Sequence, residues 1–123
     1  MFEVSVEHSF AAAHFLRNYH GKCEHMHGHN WKVQVTLRGE TLDQAGMLYD
    51  FVVLKKSVRE LLEVLDHKVL NEVRPFDELN PSAENIAWFI GEEIRKGLGG
   101  EATARVTQVR VWETDTSVAA YIP

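Results

Sequence analysis

A single cysteine, Cys23, stands among the 123 residues, so no intrachain disulfide is available and the composition fits a reducing compartment. No apolar run approaches the roughly 18 residues that a membrane helix needs. The opening "MFEVSVEHSF" lacks the basic start and apolar middle of a signal peptide, so the cytoplasm is the expected location, with no membrane partner. Basic runs are missing as well. Thirteen Lys and Arg against 18 Asp and Glu leave a net charge of −5, which argues against nucleic acid as a partner. That balance still permits a small anionic substrate held by a local cluster of positive groups. No repeat or low-complexity segment interrupts the chain. Its 45% hydrophobic and 25% charged residues are those of an ordinary globular protein, and the length suits one domain over residues 1–123.

What is present is a change of period. Phe2, Val4, Val6, Phe10 and Ala12 share one parity while Glu3, Ser5, Glu7 and Ser9 share the other, the pattern of a half-buried strand. "RNYHGKCEHM" reads as a polar loop, and "HGHNWKVQVTLRG" as a second alternating strand with Trp31, Val33, Val35 and Leu37 on one face. "ETLDQAG" is a turn, and "MLYDF" fits a short third strand. From Phe51 the spacing becomes helical, with Phe51, Leu54, Val58, Leu61, Leu62 and Leu65 on one side and Lys55, Lys56, Arg59, Glu60 and Glu63 on the other. "LDHKVLNEVRPFDELNP" is irregular and polar. A second helix follows, capped by Asn80 or Ser82, with Ile86, Ile90, Ile94 and Leu98 as its stripe and "GLGG" as its end. Arg105–Thr114 alternates again, and "SVAAYI" makes a last strand. Strands divided by paired helices predict an α+β fold with an antiparallel sheet. Two helices cover only one face of such a sheet, so its edges and other face call for oligomerisation. Trp31, Trp88 and Trp112 are expected in the core.

The chemistry concentrates in "KCEHMHGHNW". His27 and His29 lie two apart on a strand, so their side chains leave the same face and can converge on one ion. His14, at the end of "FAAAH", is the candidate third ligand, because antiparallel pairing brings the end of the first strand to the start of the second. Three histidines with a fourth position open form the pattern of a catalytic zinc site. The alternative for each is an ordinary polar strand-end histidine. Cys23 reads as a thiolate base or nucleophile, as a fourth zinc ligand that closes the site, or as an inert thiol. Asp66 beside His67 suggests a histidine whose tautomer and basicity are set by a carboxylate, giving a general acid and base. Glu113 shares the parity of Val109 and Val111 and can receive paired N–H donors from the edge of a heterocycle, unless it simply ends its strand in solvent. Arg17, His20, Lys22 and His25 surround the same loop, either as a phosphate-holding group or as solvated side chains.

Taken in order, "FAAAH", "CEHMHGH", "GMLYDFVVLK", "LDHKVLN", "NPSAENIA" and "VWET" resemble the 6-pyruvoyl-tetrahydropterin synthase / 6-carboxytetrahydropterin synthase family from end to end. The resemblance implies a tunnelling fold: a four-stranded antiparallel sheet with two helices on one face, closed into a barrel by three subunits and stacked as a homohexamer. It implies one zinc per subunit on His14, His27 and His29, with Cys23, Asp66 and His67 catalytic. Glu113 matches the pterin anchor, and Lys22 and Ser82 join it as substrate-binding positions. The implied reaction converts 7,8-dihydroneopterin triphosphate, with loss of triphosphate and acetaldehyde, into 6-carboxy-5,6,7,8-tetrahydropterin of the queuosine pathway.

Two departures bear on this. "NPSAEN" stands where the family commonly has "NPTSEN", so Ala83 lacks one hydroxyl. Glu24 directly follows Cys23, as in a bacterial subgroup that cleaves the dihydroneopterin side chain to 6-hydroxymethyl-dihydropterin for folate synthesis, and a second base there can redirect the cleavage. The pyruvoyl-forming reaction is a further alternative within the fold. Outside catalysis, a pterin- or purine-binding module and a metal-stabilised structural oligomer are the competing readings.

Overall fold

The computed structural model describes residues 1–100 and 102–123, without the side chain of Cys23. Two long strands, β1 (Phe2–His14) and β2 (His27–Gly39), form an antiparallel hairpin in full register from Phe2 opposite Gly39 to His14 opposite His27. Helix α1 (Phe51–Glu63) follows, then the two-residue strand β3 (Lys68–Val69), helix α2 (Ala83–Leu98), and strands β4 (Arg105–Thr114) and β5 (Ser117–Tyr121). The sheet order is β3-β1-β2-β4-β5.

The α+β class and the four antiparallel strands match the expectation from periodicity, with two corrections. The sheet is five-stranded and mixed, because β3 lies parallel to β1 through Ala12 and Ala13. "MLYDF" is not a strand. Asp43 takes the Met47 N–H on its carboxylate at 3.0 Å and donates its own N–H to the Met47 carbonyl at 2.9 Å, which closes a local turn. Asp50 then caps α1 by accepting from the Val52 N–H at 2.8 Å. With those groups engaged, no ladder forms, and Leu48 packs down onto Gly39 instead.

Both helices cover the face that carries Val6, Phe10, Trp31, Val33, Val35, Leu37, Val109 and Val111, all buried. Helix α1 adds Leu54, Val58 and Leu62, and α2 adds Ile86, Ala87, Ile90 and Ile94, so one cluster holds sheet and helices together. The spacing of these residues, three and four apart, turns them to one side of each helix. Phe51, counted in the helical stripe, is half exposed. Of the three tryptophans only Trp31 is core. Trp88 is 41% exposed on α2, and Trp112 lies on the other face of the sheet under the Lys32 ammonium at 4.2 Å. Neither helix is long and apolar enough to cross a membrane.

The sheet is open at both sides. Among the described residues, β1 carries no strand along its outer edge from Phe2 to Phe10, and β5 is the opposite edge. The long strands converge at the end where β1 finishes and β2 begins, and the histidines are gathered there.

Candidate metal centre

In the β1–β2 register His14 faces His27 and Ala12 faces His29. His27 and His29 share the parity of buried Trp31, and the register turns His14 to the same face. Their rings meet edge to face, with centroids 4.6 Å (His14–His27), 4.8 Å (His27–His29) and 5.4 Å (His14–His29) apart. Trp31 backs the group at 4.9 Å from His14 and 5.3 Å from His29, and its Nε1–H donates to the Ala12 carbonyl. One ligand nitrogen from each histidine lies within 4.8 Å of the others.

The tautomers follow from the partners. His14 Nδ1 lies 2.7 Å from the Pro81 carbonyl, and His27 Nδ1 lies 2.7 Å from the His25 carbonyl. A carbonyl only accepts, so each Nδ1 carries the hydrogen and each Nε2 a lone pair. Those two Nε2 atoms stand 3.1 Å apart. Two lone pairs opposed at that distance call for a cation between them. Ligands at 2.0–2.1 Å around a tetrahedral zinc are separated by about 3.3 Å, close to what is found here. His29 Nε2 is buried with no hydrogen-bond partner, a third donor aimed into the same space. Burial, chiefly, holds the His14 and His29 rings below their usual pKa, and so in the neutral form that a metal requires. The donor set fits zinc.

Glu113 enters from β4. Its carboxylate lies 3.5 Å from His29 Nε2 and 3.8 Å from His14 Nε2, too long for hydrogen bonds but in direct electrostatic contact. Only 29% of its side chain is exposed, and it faces both the histidines and the space above them.

Asp66 and His67 follow α1 at the edge of β1. The Ala11 N–H donates to Asp66 Oδ1 at 2.9 Å, and Asp66 Oδ2 holds His67 Nδ1 at 2.9 Å. Sequence neighbours achieve this because His67 adopts the left-handed backbone, φ 57°. Its side chain is 81% exposed and borders a pocket of about 480 Å³ lined by Ala11, Ala13, Gly28, Asn30 and His29. The small residues of "FAAAH" and Gly28 make that hollow. A larger cavity of about 640 Å³ lies at the far end of the strands, away from every residue singled out for chemistry. Its Arg38 and Arg95 are paired with Glu3 and Glu92.

Lys22 and Glu24 belong to a short 3-10 turn, Lys22–Glu24, and both are exposed. Glu24 Oε1 accepts from the Tyr19 N–H at 3.0 Å. The backbone of Cys23 lies in this turn; its side chain, the proposed base, lies outside the described residues. Ser82 caps α2 by accepting from the Asn85 N–H at 3.2 Å, which leaves its own hydroxyl hydrogen to donate elsewhere. Arg17 turns one guanidinium nitrogen to the backbone, while its Nη1 is buried without a hydrogen-bond partner among the described residues. Its Nη2 donates to the Phe76 carbonyl at 3.0 Å and approaches that of Asp77. His25 contributes its backbone carbonyl to His27, and its ring does not join the three-histidine group. Pro81 and Asn71 escaped the sequence reading, and Asn80 entered it only as a candidate helix cap. The only signal was two asparagines flanking an irregular segment.

The model of the family described as 6-pyruvoyl tetrahydropterin synthase matches residues 3–123. A dihydroneopterin monophosphate aldolase of Pyrococcus furiosus is 37% identical over 105 residues, 85% of this chain and 83% of that protein. A 6-carboxy-5,6,7,8-tetrahydropterin synthase of Bacillus subtilis is 35% identical over 128 residues, 99% of this chain and 86% of that protein. The solved structure of the Caenorhabditis elegans 6-pyruvoyl tetrahydropterin synthase superposes with a TM-score of 0.85 at 30% identity, covering 100% of this chain and 97% of the other. With its histidine cluster, its sheet and its near-complete coverage by the family model, the chain belongs to the 6-pyruvoyl tetrahydropterin synthase family.

Proposed function

We propose that the protein is a zinc-dependent lyase converting 7,8-dihydroneopterin triphosphate to 6-carboxy-5,6,7,8-tetrahydropterin, with release of triphosphate and acetaldehyde. The observation that carries this reading is the opposed pair of Nε2 lone pairs of His14 and His27, with the orphaned Nε2 of His29 beside them. Family membership and the Bacillus subtilis relative support the substrate class.

Zinc held by His14, His27 and His29 supplies a Lewis acid for the side-chain hydroxyls of the substrate. Glu113 receives the paired N–H donors of the pterin ring and so fixes the side chain over the histidines. His67, oriented through Nδ1 by Asp66, keeps Nε2 free to take and return a proton. Cys23, as thiolate, serves the opposite side of the reacting carbons. Lys22 offers charge to the phosphates, and Ser82 offers its remaining hydrogen to the ring. The open edges of β1 and β5 support assembly into a homohexamer, a dimer of trimers, in which one chain's Cys23 or Asp66–His67 pair can serve a neighbour's zinc.

A second reading has its own support. Glu24 directly follows Cys23, and the Pyrococcus furiosus relative is named an aldolase. A carboxylate beside the thiol favours cutting the side chain to leave 6-hydroxymethyl-dihydropterin. Among the described residues Glu24 is engaged by the Tyr19 N–H through one oxygen. Formation of 6-pyruvoyl-tetrahydropterin is the third outcome within the family. The zinc-loaded protein, incubated without oxygen with dihydroneopterin triphosphate and separately with dihydroneopterin, separates these by its pterin product. The 6-carboxy product is expected from the triphosphate. The 6-hydroxymethyl product would transfer the assignment to the aldolase reading, and unchanged substrate in both would end the enzymatic one.

A further inference from the structure

Just past His14 no strand pairs with the chain, yet its backbone is held as though one did. Phe15 exchanges both backbone groups with the Asn71 side chain: its N–H donates to Oδ1 at 3.0 Å, and Nδ2 donates to its carbonyl at 2.9 Å. Arg17 does the same with Asn80, at 2.8 Å in each direction. Alternate residues are gripped, the spacing of a strand ladder. The series continues inward through Val69 opposite Ala13 and the His67 N–H on the Ala11 carbonyl. Two side-chain amides thus replace a missing strand.

Asn80 does more than extend this ladder. Its own carbonyl is fixed by Asn85 Nδ2 at 2.9 Å. The residue after it, Pro81, provides the carbonyl that takes the His14 Nδ1 hydrogen at 2.7 Å. A closed circuit results: from the His14 backbone through Phe15 and Leu16 to Arg17, across to the Asn80 amide, along to the Pro81 carbonyl, and back to the His14 ring. His27 has no such dependence, since the carbonyl that orients it belongs to His25 in its own loop. Rotation of Asn80 moves both the backbone that carries His14 and the acceptor that sets its tautomer.

We propose that Asn80 is a positioning residue of the metal centre, and that the Asn80–Asn85 pair sets metal affinity by holding the Pro81 carbonyl against His14. The proposal rests on the metal reading given above. Groups that orient a metal-bound histidine commonly change affinity by about 10- to 100-fold when removed. The test is zinc affinity, measured by competition with a chromophoric chelator, for the wild type, N80A and N85A, together with the visible absorption of each with cobalt. Wild type is expected to bind tightly, N80A at least tenfold more weakly with an altered cobalt spectrum, and N85A to lose less in the same direction. The core variant I90V controls for stability, since it lowers the melting temperature and leaves affinity unchanged. Unchanged affinity and cobalt spectrum in N80A would overturn the proposal even if its melting temperature fell. Should N80A fail to fold, N85A decides, and its unchanged affinity would likewise overturn it. A wild type that binds no zinc would defeat the metal reading itself, a result distinct from the failure of Asn80 alone.

Discussion

The Asp66 carboxylate gives its two oxygens to different partners, one to the Ala11 N–H on β1 and one to the His67 ring. Those hydrogen bonds favour the charged form and hold its pKa below the ordinary carboxylate value, the Ala11 N–H contributing most and His67 next. A carboxylate depressed in this way stabilises the fold fully above the unfolded-state value, near 3.9, and loses that contribution as pH falls through it toward the folded one. The D66N variant keeps an acceptor for Ala11 but does not titrate. Its stability, followed by chemical denaturation between about pH 6 and pH 3, is expected to fall less steeply with acid than that of the wild type. Equal slopes would mean that Asp66 is not held in its charged form. Turnover in D66N should fall at neutral pH as well, because an amide that turns its NH2 toward His67 Nδ1 favours the other tautomer, with the hydrogen on Nε2. At this scale the sequence is informative where a residue's chemistry is rare, as with His27 and His29 two apart on one strand and His14 at the end of the strand before it. It is silent where the chemistry belongs to the backbone, as with the Pro81 and His25 carbonyls.

Among the elements, β1, β2 and both helices could be read from their periods because each buries one face, and burial is what selects the pattern. The strand β3 could not, since two residues carry no period and its neighbours along the edge of β1 are asparagine side chains. "MLYDF" misled for the opposite reason: Leu48 and Tyr49 pack against the core, but Asp43 takes the Met47 backbone and Asp50 caps the helix that follows. Within α2 two glycines make opposite predictions. A Cβ on Gly91 would lie 2.7 Å from the Tyr121 ring, which Glu92 holds by a 2.9 Å hydrogen bond from the Tyr121 hydroxyl. G91V is therefore expected to cost about 1–3 kcal/mol through overpacking. Gly97, exposed and with open space around it, should gain roughly 0.5–1 kcal/mol from G97A. Equilibrium denaturation of the two variants checks both signs.

In the whole molecule, the two open edges of the sheet are the feature that one chain leaves unresolved. The outer edge of β1 presents unpaired backbone from Phe2 to Phe10, with half-exposed Phe2, Met47 and Phe51 nearby. Light scattering is expected to give the mass of six chains, and a monomer at micromolar concentration would contradict the barrel. The strand pattern alone expresses only a need for cover, because it counts edges and not their partners; the hexamer is what the family resemblance implies. The face that carries His14, His27, His29 and Glu113 brings β1, β2 and β4 to one point, so the centre depends on the sheet as a unit. The central claim is that these histidines hold the metal on which pterin chemistry depends. The most direct measurement is a zinc titration of metal-free protein, following turnover of dihydroneopterin triphosphate without oxygen. Turnover should rise to a plateau at about one zinc per chain and remain absent in H29A at any zinc concentration. Full turnover in the metal-free protein, or in H29A, would contradict the account.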